Sequence, residues 1–137
     1  MRMNRPHDLS ETKRALPTSE RERAQLLAMY EEAHERSEAS HRQWCEARNR
    51  AEHLDRSLKT WRSKERDARE HMEKMGSLDE LEVMQVRPWV NRISSEVASL
   101  QAELDAARAH EAECKRINDA RQSHSIALMI VMNCADV

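Results

Sequence analysis

Phenylalanine is absent from this chain, and its 137 residues include only one glycine and three prolines. A glycine-rich loop that binds phosphate is therefore excluded. With 35% charged residues and few large apolar ones, the chain cannot surround a thick hydrophobic core. This composition is typical of long helices that pair as coiled coils.

Signals for secretion, membrane insertion and disulfide bonding are missing as well. No apolar run follows Arg2 and Arg5, and the longest one, Ile126 to Met132, is far shorter than the roughly 20 residues of a membrane span. The three cysteines have unrelated spacings, which argues against a disulfide framework. We expect a soluble, cytoplasmic protein with no membrane span.

The segment from Ser19 to Met75 contains no glycine and no proline, and it predicts one long helix. Ser19 and Glu22 form a capping box at its start, and residues 1–18 are expected to be a mobile N-terminal segment. Apolar and small residues recur at alternating steps of three and four, so they share one face of the helix. This first seam comprises Leu26, Tyr30, Ala33, Ser37, Ser40, Trp44, Ala47, Ala51, Leu54, Leu58, Trp61, Glu65, Ala68, Met72 and Met75.

Charged residues are paired along the same helix. An acidic residue repeatedly precedes a basic one by four positions, and each such pair adds about 0.2–0.5 kcal/mol to the stability of an isolated helix. This matters because so long a helix has little tertiary structure to support it. The pairs are Glu32–Arg36, Glu38–Arg42, Glu46–Arg50, Glu52–Arg56, Asp55–Lys59, Glu65–Arg69 and Glu70–Lys74.

Gly76, the only glycine, interrupts the pattern. It suits the end of a helix, and Ser77 with Glu80 forms a second capping box. Pro88 leaves two alternatives. Either residues 78–86 form a short helix and Pro88 begins the second long helix, which we prefer because proline suits a first turn, or the second helix is continuous and kinked near Met84. The second seam comprises Val83, Val86, Val90, Ile93, Val97, Leu100, Leu104, Ala107, Glu111, Cys114, Asn118, Arg121, Ser125 and Leu128.

We therefore predict an all-α fold, an antiparallel two-helix coiled-coil hairpin that residues 19–137 form as a single domain. Its first helix covers about residues 19–75, the break residues 76–88 and the second helix about residues 88–132. Folding back at Gly76 pairs residues whose numbers add to 154 or 155, for example Leu58 with Val97, although a heptad seam tolerates shifts of seven.

In this arrangement the two halves of the seam differ. Large residues meet from Leu54 to Met72, whereas small and polar residues meet from Tyr30 to Ala51. We expect the polar half to be the weaker one and to open more easily.

Two pairs of histidine and cysteine have the i, i+4 spacing that lets helical side chains share a metal ion. They are His41 with Cys45 and His110 with Cys114. Because Cys45 falls beside Trp44 on the outward side of the seam, the four side chains are not expected to converge. No metal and no cofactor is expected, and no nucleophile with a paired base indicates an enzyme.

A basic stripe lies on one face of the first helix and comprises Lys59, Arg62, Arg66 and Arg69. It could bind an acidic partner or a nucleic-acid backbone. Asp55, Glu65 and Asp67 lie close enough to neutralise much of it, so a salt-bridged, solvated face is preferred. With a net charge of −2, nucleic acid is not the expected partner.

The run from Ile126 to Met132 is apolar on all sides of a helix, and a two-helix seam covers only part of such a surface. One interpretation is that it packs on the start of the first helix, and another is that its remaining face binds a protein; both can hold. The residues predicted to contact partners lie at the paired termini and at the loop tip: Leu26, Leu27, Tyr30, Leu128, Met132, Leu78, Leu81 and Met84.

The order of these parts resembles a known family. A mobile N-terminus precedes a long charged helix, a break at Gly76 and a second helix that opens with Trp89-Val90-Asn91. In this order the chain resembles the FliJ/YscO family of small stalk proteins from flagellar and injectisome type III secretion. The resemblance implies an antiparallel two-helix coiled coil that inserts into the export ATPase ring and contacts the export gate.

The function that the sequence favours is a non-enzymatic helical stalk or adaptor, with the central stalk of a type III secretion export ATPase as its most specific form. Protein partners and no small-molecule substrate are expected, and the chain would act as a monomeric hairpin or a homodimer. Two alternatives stay open. One is a homo-oligomeric coiled-coil structural or inhibitory protein, for example a phage-encoded one, and the other is a nucleic-acid-binding helical arm that uses the basic stripe.

Overall fold

The computed structural model describes residues 19–76 and 80–136. Two α-helices make up this part of the chain: α1, Glu20–Gly76, and α2, Glu80–Asp136, each 57 residues long. They pack against each other as an all-α helical hairpin, which confirms the predicted fold class. The predicted mobile segment at residues 1–18 lies outside the described residues, as does Ser77 of the second capping box.

Ser19 caps the start of α1, as its sequence predicts. The Ser19 hydroxyl oxygen accepts a hydrogen bond from the backbone N–H of Glu22 at 3.1 Å, and the Ser19 carbonyl accepts the first bond of the helix from Arg23 at 3.0 Å. Glu20 and Glu22 in the first turn face the positive end of the helix dipole. The helix therefore begins where a satisfied N–H and favourable charges coincide.

The prediction that Pro88 starts the second helix is wrong. α2 is continuous from Glu80 through Pro88, so the break is shorter than residues 76–88 and the alternative of a proline inside the helix holds. The pyrrolidine ring deprives the Met84 carbonyl of its helical donor, at a cost of about 3 kcal/mol. The helix continues because residues 80–87 are mostly good helix formers and because Val86 and Val90 extend the covered face.

The two predicted seams are the faces that the structure covers. Every residue of the first seam is buried or half-buried, and so is every residue of the second seam except Arg121. This agreement has a simple cause: periodicity along a helix depends only on local geometry, which an uninterrupted helix keeps over its whole length.

Contacts divide the chain into two compact units, each of which contains a segment of both helices. We call the unit formed by residues 45–113 the leucine unit. We call the unit formed by residues 1–44 and 114–137 the serine unit, of which residues 19–44 and 114–136 are described. The interpretation of residues 19–137 as one domain stays a prediction.

A cluster of buried apolar side chains fills the leucine unit. Leu58 and Leu104 are its most buried members, 2% and 1% exposed, and Trp61 and Val97 pack against its edge. The remaining members are Ala51, Leu54, Leu100 and Ala107. Full burial of a leucine side chain contributes about 1.5–3 kcal/mol, so this cluster is the main source of stability in the unit.

Polar contacts between the two helices reveal their register in the leucine unit. The residue numbers add to 163 in the contacts of Arg62 with Gln101, Arg69 with Ser94, and Arg108 with Asp55. The predicted register, with sums of 154 or 155, is therefore wrong by about one heptad. The observed register brings Leu58 level with Leu104 instead of Val97, which joins the two most buried leucines in one layer.

The serine unit is filled by small and polar side chains. Ser40, 1% exposed, donates a hydrogen bond to the Arg36 carbonyl at 2.8 Å and accepts one from Arg121 Nη1 at 2.8 Å. Asn118 and Ser125 are also buried, at 4% and 7% exposure. A polar seam, in which Ser40 is hydrogen-bonded to both helices, thus takes the place that leucine occupies in the other unit.

Candidate partner-binding surfaces

The first turns of α2 expose large apolar side chains in the leucine unit. Leu81, Met84 and Trp89 are 65%, 69% and 64% exposed, and the Arg92 guanidinium lies 5.2 Å from the centre of the Trp89 ring. The three residues lie outside the second seam, so their side chains point away from the covered face of α2. We call Leu81, Met84 and Trp89 the tip surface.

The end of α2 exposes a second group of apolar side chains, in the serine unit. We call it the end surface; it comprises Ile126, Met129, Ile130 and Val131, which are 36–54% exposed. One neighbouring helix covers one side of a helix, so a stretch that is apolar on all sides must leave the other side in water.

The predicted contact residues coincide only partly with these surfaces. Leu81 and Met84 belong to the tip surface, and Leu78 lies outside the described residues. At the termini Leu27 is 44% exposed, whereas four predicted residues are half-buried: Leu26, Tyr30, Leu128 and Met132. These four belong to the covered faces of their helices. A binding role for any of the predicted residues stays a prediction.

Trp89 was missed as a contact residue, although a signal for it was present. It directly precedes Val90 of the second seam and follows Pro88, and in a continuous helix that offset turns the indole away from the covered face.

Every member of the basic stripe contacts a neighbouring side chain within the leucine unit. Lys59 Nζ lies 3.0 Å from Asp55 Oδ2, and Arg66 donates to Ser63 at 3.2 Å. Arg62 donates to Gln101, and Arg69 donates to Ser94 at 2.9 Å. The stripe therefore contacts side chains of both α1 and α2. Whether it binds a phosphate backbone or is a solvated face stays a prediction.

Asp55 is the acidic centre of this arrangement. The hydrogen bond from Lys59 holds the pKa of the Asp55 carboxyl below its ordinary value of 3.8, and the charges of Lys59, Arg108 and Arg62 act in the same direction against a smaller effect of burial. Asp55 thus stays ionised and bridges the two helices through Arg108 at 3.3 Å.

Some of the predicted acid and base pairs form and one is replaced. Glu32–Arg36, Asp55–Lys59 and Glu65–Arg69 are ion pairs in the structure. Glu38 contacts a different neighbour, because its Oε1 lies 3.1 Å from His34 Nε2. The predicted pairing of Glu38 with Arg42 is therefore wrong, since His34 takes the carboxylate from the preceding turn.

A polar groove of about 460 Å³ runs along the serine unit. It is lined by His34, Ser37, Glu38, His41 and Arg42 from α1 and by Asn118 and Gln122 from α2. Most of these side chains are exposed, and Asn118 forms the buried floor at 4% exposure. We call this feature the polar groove.

Among the described residues, no three His, Cys, Asp or Glu side chains come together in a way that could hold a metal ion. The two predicted histidine and cysteine pairs therefore form no such group. Cys45, Cys114 and Cys134 form no disulfide bond.

Comparison with protein-family models, with curated proteins and with solved structures finds no match to this chain. Over the described part of the two helices, no stretch is long and apolar enough to cross a membrane. The surfaces of the hairpin are therefore the basis for inferring its function.

Proposed function

We propose that this protein is a non-enzymatic helical adaptor that binds protein partners through its tip surface. The observation that carries this proposal is the exposure of Leu81, Met84 and Trp89, each more than 60% exposed on successive turns of one helix. Tryptophan is among the residues that most often supply the binding energy at protein interfaces, and neighbouring apolar side chains exclude water around it. Grouped exposed apolar residues are also a typical mark of an interaction site.

In its most specific form, the adaptor is the central stalk of a type III secretion export ATPase and takes part in protein transport. The order of parts that resembles the FliJ/YscO family supports this form, as does the helical hairpin. Trp89, in the Trp-Val-Asn sequence that contributes to the resemblance, also belongs to the tip surface. Contact with the ATPase ring would then involve apolar side chains at the start of α2.

A homo-oligomeric coiled-coil protein is the second candidate, and the end surface favours it. Four exposed apolar residues on one stretch of α2 offer a second copy a face to cover. Light scattering over a hundredfold concentration range separates the candidates. A constant monomer mass supports the adaptor, and a dimer that dissociates on dilution supports the homo-oligomer.

Capture of a partner tests the adaptor proposal directly. The wild-type chain and the double variant Leu81→Ser with Met84→Ser would be immobilised, and binding of the export ATPase of the same organism would be measured by biolayer interferometry. Because truncation of a central apolar contact costs about 2 kcal/mol or more, the variant should bind at least about thirtyfold more weakly.

The matched control is Glu82→Gln with Gln85→Ala, which changes exposed polar residues on the same turns. It should bind like the wild type. Absence of wild-type binding at micromolar concentration would overturn the stalk form. Equal loss of binding in the control and in the double variant would overturn the assignment to the tip surface.

A further inference from the structure

The polar groove contains hydrogen-bond donors that the protein itself does not use. Among the described residues, none forms a hydrogen bond or ion pair with the side chains of Arg42, Asn118 or Gln122. Asn118 is the strongest of these observations because its side chain is only 4% exposed and lines the floor of the groove. A ligand that accepts a hydrogen bond from this amide would take the place of solvent there.

One acidic residue lines the groove beside these donors. It is Glu38, whose Oε1 is 3.1 Å from His34 Nε2. Glu38 therefore contacts His34, and the structure shows no ion pair between Glu38 and Arg42, which lies four positions after it. The groove therefore offers a cation and two amides to an acceptor from outside.

We propose that the polar groove binds a carboxylate side chain from an acidic segment of a protein partner, an inference that rests on the proposed adaptor function. Arg42 presents a planar fork that matches a carboxylate, and the amides of Asn118 and Gln122 can donate to the same group from the opposite helix. This arrangement identifies the partner by its chemistry: an acidic stretch that lies along the serine unit.

The form of the groove favours a protein segment over a free carboxylic acid. Sites for small molecules enclose most of the ligand surface, whereas here Arg42, Gln122 and both histidines are exposed. The volume of about 460 Å³ exceeds that of one carboxylate side chain, so neighbouring residues of a segment can occupy the rest.

Nuclear magnetic resonance of the full ¹⁵N-labelled chain provides the test. The probe is an acetylated peptide in which glutamate alternates with alanine, and the matched probe carries glutamine in place of glutamate. The glutamate peptide should shift the side-chain amide signals of Asn118 and Gln122, and the glutamine peptide should not. Arg42→Gln should weaken binding about tenfold, because it removes a charge-assisted pair.

Arg56→Gln is the control variant, since it removes the same charge from an exposed position in the leucine unit. It should bind the glutamate peptide like the wild type. The proposal is overturned if the peptide causes no shift at millimolar concentration, or if Arg42→Gln and Arg56→Gln weaken it equally. It is also overturned if free glutarate binds as tightly as the peptide, which would indicate a small-molecule site.

Failure of this inference is distinguishable from failure of the adaptor function. The double variant Leu81→Ser with Met84→Ser leaves the groove unchanged and should bind the peptide normally. Peptide binding without capture of any ATPase would leave the groove assignment standing and remove the stalk form. Capture of the ATPase without peptide binding would leave the stalk form standing and remove the groove assignment.

Discussion

The leucine unit and the serine unit are built from segments of the same two helices, yet different side chains fill them. Leu58 and Leu104 occupy the centre of one, and Ser40 and Asn118 are the most buried polar residues of the other. Burial of leucine stabilises in proportion to the apolar area removed from water. A buried serine or asparagine adds little beyond the exchange of water for protein hydrogen bonds. The comparison indicates that one fold carries two different levels of local stability.

The polar contacts of the two units also differ in what they achieve. In the leucine unit they lie at the margin of an apolar cluster, as between Arg62 and Gln101. In the serine unit the bond from Arg121 to Ser40 lies inside the seam itself. A buried polar contact favours one register strongly, because any shift leaves its groups without partners. The serine unit thus buries little apolar surface, but its two helices have a specific alignment. Beside this seam lies the polar groove, of which Asn118 forms the floor.

Removal of the central leucine should produce the largest effect. Leu58→Ala is expected to lower the free energy of unfolding by about 2–5 kcal/mol, because it opens a cavity in the apolar cluster. Urea denaturation followed by circular dichroism measures the change. The control is Leu27→Ala, at a position that is 44% exposed. A loss in Leu58→Ala no greater than in the control would contradict the assignment of the cluster as the main source of stability.

Replacement of the internal proline should stabilise the leucine unit. Pro88→Ala restores the donor to the Met84 carbonyl and relieves the clash of the ring. Alanine also makes the unfolded chain more flexible, which opposes this gain, so the free energy of unfolding should rise by about 2 kcal/mol. The rise in the urea midpoint measures it. Arg87→Ala, at the preceding exposed residue, should change the midpoint by much less. A lower midpoint for Pro88→Ala would show that α2 depends on the proline at this position.

Loss of the buried hydroxyl should weaken the serine unit alone. Ser40→Ala removes the acceptor of the Arg121 guanidinium and is expected to cost about 1 kcal/mol. Hydrogen exchange should show faster exchange of backbone amides around Ser40 and Asn118, with those around Leu58 unchanged. Ser37→Ala is the control, at a half-buried seam position in the same unit. Uniform acceleration in both units would contradict this prediction.

The smallest effect should come from the charge on Asp55. Its pKa is lower in the folded state than the ordinary 3.8, so its contribution is present above that value and is lost as the pH falls through the lower folded pKa. The melting temperature of Asp55→Asn should therefore lie slightly below that of the wild type at pH 7, and the difference should vanish at strongly acidic pH. Salt should reduce the difference at pH 7, since Lys59 is largely exposed.

Asp67→Asn provides the comparison for this measurement, because Asp67 is an exposed acidic residue on the same helix. Its melting temperature should follow the wild type at every pH. A difference for Asp55→Asn that persists unchanged under acidic conditions would show that the effect does not arise from ionisation.

Much of the fold could be predicted from local patterns, whereas the candidate surfaces could be predicted only in part. The capping residue Ser19, the two helices and both seams follow from spacing within a few turns. The outward residues of α2 could not be separated from the inward ones, since every position from Ile126 to Met132 is apolar. The polar groove could not be predicted, because its lining combines residues of both helices that lie about eighty positions apart in the chain, such as Arg42 and Asn118.

The sequence by itself determined that this chain forms two long helices and which face of each is covered, because both properties arise from local geometry and the spacing of residues. Only the tertiary structure decided the register, the continuity of α2 through Pro88 and the exposure of the tip surface. A heptad pattern repeats every seven residues and therefore permits several alignments of similar quality. The choice among them is made by contacts between residues far apart in the chain, such as Leu58 level with Leu104 and Ser40 with Arg121.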